Sequence, residues 1–178
     1  MKLDLIINQP VVETELFDLR PLRKSDEGLI EHYGSDERVA RMTTSIAHPL
    51  PPGATEAFVA RAMTDDRDED VWAMDGTKTG GAEVMGLISL QKLDRNQSEI
   101  SYWVAPVYWN TGLATRAVRA LVDANPLKND TMFGSVFQDN PASARVLIRC
   151  GFEYLGDAES YSVARDATVP TWTYSRKL

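Results

Sequence analysis

The stretch Val104-Ala105-Pro106-Val107-Tyr108-Trp109-Asn110-Thr111-Gly112-Leu113-Ala114-Thr115 places a strand end, a short turn and a helix start in succession. A turn of this kind leaves several backbone N–H groups unpaired at the positive end of a helix dipole, the combination that binds a pyrophosphate. Gly112 and Ala114 are small, so phosphate oxygens could approach the backbone without meeting a bulky side chain. Taken alone, such a turn is more often plain structure than a ligand site. What flanks it decides its meaning.

Immediately upstream, in residues 98–105, Ile100, Tyr102 and Val104 alternate with Glu99, Ser101 and Trp103. That period predicts a strand with one apolar face and one face bearing a carboxylate, a hydroxyl and an indole. Residues 71–74 and 84–93, the latter after Gly80 and Gly81, read as earlier strands of the same antiparallel meander. Further back the pattern gives a strand at 14–19, a helix N-capped by Ser25 with Asp26 and Glu27 in its first turn, and a helical piece at 36–42. A Pro- and Gly-bearing loop at 48–53 and another helix at 55–63 follow, and the acid-rich run 65–70 predicts a solvated turn.

Downstream of the quoted stretch, a helix over 112–124 gathers Ala114, Ala117, Val118, Leu121 and Val122 on one stripe. A strand at 132–138 then feeds a helix with Asn140 as N-cap, Pro141 in its first position and Gly151 just past its end. Strands near 153–155 and 171–176 close the chain. The order predicts an α/β (α+β) fold: a single mixed, mostly antiparallel central sheet of about seven strands, flanked by helices. With neither repeat nor linker, residues 1–178 read as one domain.

The formal charge of −7 argues against nucleic acid as a partner, because phosphate-backbone binding needs a basic face. One cysteine, Cys150, rules out an internal disulfide, and two histidines form no Cys/His cluster, so metal-free chemistry is expected. The first apolar run, residues 3–7, is too short for a signal peptide, and no stretch approaches the roughly 20 apolar residues of a membrane span. A cytoplasmic location, with no membrane partner, is the expectation. Nothing in the sequence chooses between a monomer and a homodimer.

Three motifs recur in order on compatible elements: Glu99-Ile100-Ser101-Tyr102-Trp103-Val104, then Tyr108-Trp109-x-x-Gly112-x-Ala114-Thr115-x-Ala117, then Asn140-x-x-Ser143-x-x-Val146-Leu147-x-x-x-Gly151-Phe152. Together they resemble the GNAT acetyltransferase superfamily, and within it the ribosomal-protein alanine N-acetyltransferase-like (RimJ/RimL-type) group. The likeness extends more loosely from Leu16 to the C-terminus. It implies an acyl-CoA N-acyltransferase fold and an N-acetyltransferase that moves an acetyl group from acetyl-CoA directly to a primary amine. The acceptor would be a protein N-terminus, an amino acid or another small amine. A non-catalytic acyl-CoA-binding module is the competing reading.

The resemblance also implies roles. The strand bearing Trp103 and Val104 splays from its neighbour at a bulge and offers backbone groups to the pantetheine arm. The N–H groups of Asn110, Thr111, Gly112, Leu113, Ala114 and Thr115 hold the pyrophosphate, Asn140 contacts the cofactor arm, and Ser143 stands near the sulfur. Many superfamily members carry a tyrosine where this chain has Leu147, so Ser143 becomes the candidate for stabilising the leaving thiolate. Glu99, or alternatively Glu159, is the candidate base that takes the amine's proton. Asn110 and Arg116 depart from the usual glycine and glutamate, which leaves the role of Arg116 open between a cofactor phosphate and solvent. The acceptor site is expected from residues 42–53 and 156–170, with Trp72, Trp103 and Trp172 as possible lining.

Overall fold

The computed structural model describes residues 9–178; the apolar run 3–7 falls outside them. Its elements are β1 (Val12–Glu13), β2 (Asp18–Pro21), α1 (Glu27–Gly34), α2 (Glu37–Ala40), α3 (Ala54–Ala62), β3 (Glu69–Asp75), β4 (Gly86–Leu93), β5 (Gln97–Val104), α4 (Leu113–Ala124), β6 (Thr131–Phe137), α5 (Pro141–Arg149), β7 (Glu153–Ser162) and β8 (Ala167–Lys177). Among the described residues the strands form one eight-stranded sheet in the order β1-β2-β3-β4-β5-β6-β8-β7. Every pairing is antiparallel except β5 with β6. No helix among these residues is long and apolar enough to cross a membrane.

The two faces of the sheet carry different helices. Leu113, Ala117, Val118, Leu121 and Val122 of α4, with Ala144 and Leu147 of α5, pack on Trp72, Ile88, Leu90, Ile100 and Met132. Each large side chain in that layer contributes about 1.5–3 kcal/mol by leaving water. On the opposite face, Ile30 of α1 and Val59 and Ala62 of α3 cover Val71, Ala73 and Leu87. The strands of the meander thus bury both faces: β3 and the first half of β4 are buried almost throughout, and the acids Asp70 and Asp75 of β3 are held there by arginines.

Several local expectations change. Residues 14–19 are not one strand: Thr14 N–H bonds to the Phe17 carbonyl at 2.9 Å, and its hydroxyl bonds to the same oxygen at 2.7 Å. The chain therefore reverses between β1 and β2. Ser25 caps nothing; Asp26, 2% exposed, accepts the Arg23 N–H and a bidentate pair from Arg20, whose Nε also reaches Asp75 at 2.6 Å. The run 65–70 is not simply solvated. Asp70 is 1% exposed and receives Arg67 Nε at 2.7 Å, a buried ion pair that anchors the start of β3. Strands β7 and β8 run far beyond the short segments expected of them, and the register shift in their pairing lies between Tyr154 and Gly156.

Candidate active site

Strands β5 and β6 are paired only from Gln97↔Thr131 to Ile100↔Gly134. Beyond that pair they diverge, so the last turns of both strands face each other across a fork. Antiparallel pairing sends alternate residues' backbone groups to alternate sides. Ala105 N–H goes to Met85 on the β4 side, so the groups of Tyr102 and Val104 point into the fork. Trp109 Nε1 occupies the Val104 carbonyl at 2.7 Å. The expected splay is present, but β5 itself carries no register shift: the divergence follows from the end of parallel pairing.

The fork opens on a cavity of about 1060 Å³ that runs through the sheet and is roofed by α3 and residues 42–51. At one end lies the turn that begins α4. Asn110 and Gly112 adopt left-handed backbone, with φ of 64° and 80°. Glycine and asparagine are the residues that tolerate this region, which explains why Asn110 can stand where glycine is frequent. The first bond closing the helix is Arg116 N–H to the Gly112 carbonyl, at 3.0 Å, and no side chain caps the end. The N–H groups of Leu113, Ala114 and Thr115 therefore have no helical acceptor, a geometry that suits an anion.

Asn110, Gly112, Leu113, Ala114 and Thr115 lie on the cavity wall. Thr111 is not on it; its hydroxyl donates to the Tyr108 carbonyl at 2.6 Å and ties the turn together. Arg116 folds back, donating Nη1 to the Thr111 carbonyl at 3.2 Å, so it braces the same turn. Arg38 lies 5.7 Å above the Trp109 ring at the rim.

On the other side of the fork, Asn140 precedes α5 but makes no side-chain cap bond, which leaves its amide free at the cavity wall. Ser143, in the first turn of α5, donates its hydroxyl to the Tyr102 phenol oxygen at 3.0 Å, and that phenol donates to the Ser143 carbonyl at 2.9 Å. Burial pushes the Tyr102 phenol well above its ordinary pKa, so it stays neutral. Leu147, one turn on, is 1% exposed and packs against Gly134.

The third part of the wall is the face of the meander under α3. The register Glu69↔Gln91↔Glu99 lines up two carboxylates on one face, two strands apart. All three residues, with Ser89 and Ser101, border the cavity. Burial, and then the Glu69 carboxylate, push Glu99 above the usual carboxylate range. Glu69 is itself held by the Ser89 hydroxyl at 2.7 Å.

Of the remaining sequence candidates, Trp103 and Val104 lie on the wall. Glu159 is exposed on β7 and off it; its strand neighbour Ser160 is on the wall, and alternation sends the two side chains to opposite faces. Trp72 is fully buried in the core, donating Nε1 to Pro10, and Trp172 packs against the core, so neither lines the cavity. Residues 42–51 supply much of the roof, whereas from 156–170 Ser160 alone contributes.

Two residues escaped the sequence reading. Tyr102 passed for an apolar strand position, although a phenol on a buried face needs a hydrogen-bond partner, and that need was the available signal. Arg165, at the tip of the β7–β8 hairpin, donates to the Arg41 carbonyl at 2.8 Å and to both oxygens of Asp139 at 2.6 and 3.0 Å. With its guanidinium 4.8 Å above the Phe137 ring, it ties the roof loop to the segment before α5. Its partners lie as far as 124 residues away in sequence, and no local pattern reveals them.

The chain is similar to known proteins along nearly its whole length. It is 23% identical over 171 residues to "Uncharacterized N-acetyltransferase YoaA" of Bacillus subtilis (strain 168), covering 93% of this chain and 96% of the relative. The fold matches the solved structure of RimL, described as a ribosomal L7/L12 alpha-N-protein acetyltransferase in complex with coenzyme A, with TM-score 0.81, 15% identity, and 95% and 98% of the two chains covered. It also matches spermidine N-acetyltransferase from Vibrio cholerae in complex with CoA and spermine, with TM-score 0.76, 16% identity, and 92% and 96% covered. Residues 17–153 match the family described as "Acetyltransferase (GNAT) domain", and since this is well over half of the sequence, the chain belongs to that acetyltransferase family.

Proposed function

We propose that this acetyltransferase moves an acetyl group from acetyl-CoA directly to a primary amine carried by a small molecule, an amino acid or a protein N-terminus. The observation that supports it best is one continuous cavity with a turn of unpaired N–H groups at the start of α4, a fork where β5 and β6 part after Ile100↔Gly134, and a raised-pKa carboxylate at Glu99. Structures of similar fold have been solved in complex with coenzyme A, one of them also with spermine, which supports a cofactor-and-amine reading of the cavity. Acetyl-CoA supplies the acyl group already activated as a thioester.

The chain's own residues then have three tasks. The nest at Asn110, Gly112, Leu113, Ala114 and Thr115, braced by Thr111, holds the pyrophosphate, while the Tyr102–Val104 edge and Asn140 align the arm. Glu99 takes the proton that an amine carries at neutral pH. Its raised pKa brings it nearer that pH, where it is both ionised and basic enough to act. Ser143 donates a hydrogen bond to the departing sulfur. Holding amine and thioester together in this geometry supplies much of the rate.

Calorimetric titration with acetyl-CoA and thiol release across an amine panel test the reading. Saturable binding and turnover with at least one amine are expected, with Glu99→Gln lowering kcat by about 100-fold or more. Glu159→Gln, on the far face of β7, is the control that retains activity. Absence of binding at high micromolar acetyl-CoA would sink the reading, and binding without turnover of any amine would leave a non-catalytic acyl-CoA-binding module.

A further inference from the structure

We infer that Tyr102 is a positioning residue of the transfer reaction, holding the Ser143 hydroxyl where the sulfur departs. The inference rests on the proposed role of Ser143. Tyr102 sits two residues beyond the last β5–β6 pair, at the mouth of the fork, and its side chain shares the face of Ile100 and Val104 that looks toward α5. There the two hydroxyls and the Ser143 carbonyl form a closed set: Ser143 Oγ to Tyr102 Oη at 3.0 Å, and Tyr102 Oη to Ser143 O at 2.9 Å. Both residues border the cavity.

A serine in the first turn of a helix has several cheap alternatives for its hydroxyl, in the neighbouring carbonyls and in solvent. The phenol removes that freedom by binding the Ser143 oxygen and the Ser143 backbone at once. The one-turn-later position offers no help, because Leu147 is buried and has no donor. Burial keeps the phenol protonated, so it orients and polarises rather than giving up its proton.

The step balances without an ionised tyrosine. The nitrogen lone pair of the neutral amine forms the C–N bond, the C–S bond breaks, and its electron pair goes to sulfur. As charge gathers there, the Ser143 O–H turns from the phenol oxygen to the sulfur, and the Tyr102 O–H turns from the carbonyl to Ser143 Oγ. The proton that finally neutralises the sulfur is the second proton of the attacking nitrogen. Ser143 and Tyr102 each end with their own.

The test is a double-mutant cycle with Tyr102→Phe and Ser143→Ala, using acetyl-CoA and the best amine of the panel. Tyr102→Phe is expected to lower kcat roughly tenfold, the size of one well-placed hydrogen bond, with KM for acetyl-CoA within about twofold. In the Ser143→Ala background the same change is expected to have no further effect, because a positioning residue has nothing left to position. Additive losses, or a rise in KM with kcat unchanged, would overturn the inference and leave the Ser143 role intact. If Ser143→Ala alone leaves kcat unchanged, the role of Ser143 falls and the inference with it. Should Tyr102→Phe fold poorly, 3-fluorotyrosine at position 102 keeps the shape and strengthens the donor; kcat is expected to rise, and an unchanged kcat overturns the inference.

Discussion

Gly112→Ala isolates the cost of the nest. Gly112 has φ of 80°, and an added Cβ would meet nothing nearer than Arg116 Nη1 at 3.6 Å and Cζ at 3.9 Å, ordinary contact distances. The penalty is therefore torsional rather than steric, about 1–2 kcal/mol for an alanine held in left-handed backbone. For a chain of this length about 1 kcal/mol lowers Tm by about 2–4 °C, so a fall of about 2–8 °C is expected if the turn keeps its shape. If the turn relaxes to escape the strain, the N–H groups of Leu113, Ala114 and Thr115 no longer converge and affinity for coenzyme A falls instead. Scanning calorimetry and calorimetric titration with coenzyme A, run on the same sample, measure the two routes together. Asn110→Gly is the matched control: at φ of 64° glycine is at least as comfortable as asparagine, so Tm and affinity stay near wild type. If Gly112→Ala changed neither Tm nor coenzyme A affinity, the assignment of the nest would be refuted.

Glu99 carries a raised pKa, so its ionisation weakens the fold as pH rises through the folded-state value. Glu99→Gln is accordingly expected to melt above wild type at pH 8 and level with it near pH 4, while losing turnover; equal melting at every pH would contradict the burial argument. The part of the acidic limb of the kcat/KM profile that reports Glu99 ionisation should vanish in the same variant. Arg67→Met strands Asp70 in the core with Lys92 Nζ, 3.7 Å away, as partial compensation, and should cost about 2–4 kcal/mol in urea unfolding. The double variant Arg67→Met/Asp70→Leu should recover most of that loss, and a double variant as unstable as the single would show that the pair itself is strongly net stabilising. Gly134→Ala places a Cβ 2.9 Å from Leu147 Cδ1 and 3.4 Å from Ile100 Cγ2, costing about 1–3 kcal/mol by overpacking, and Leu147→Val in the same chain should return part of it.

The elements around the site were legible because their patterns are strong and local. The α4 stripe, the alternation of β5 and the Asn140-Pro141 start of α5 each bury one defined face, so period and position agree. Strand β7 lacks such a pattern: nearly all of Glu153–Ser162 is exposed, and no period-2 signal marks its ten residues. Asp26 and Asp70 read as surface acids because the arginines that make their burial tolerable are recognised as partners only once the chain is folded. Within the candidate site, the small residues around Gly112 marked a turn before a helix, while Asn140 and Ser143 stood out only through the family resemblance and both border the cavity. The Tyr102–Ser143 bond did not, because it joins residues 41 positions apart on different elements, and neither carries a charge that would prompt a search for its partner.

Among the described residues, four ladder pairs ending at Ile100↔Gly134, with the Asp130 N–H to Asn96 carbonyl bond just before them, join the five strands on one side of the fork to the three on the other. Mechanically the sheet is two leaves on a short spine, laced together beyond it by the Tyr102–Ser143 pair and the Arg165 bond to the Arg41 carbonyl. Leu147 is wedged against Gly134 at the end of the spine, where a crack would start. The width of the gap is therefore held at two heights, by the apolar wedge at its root and by the Tyr102–Ser143 bonds above it.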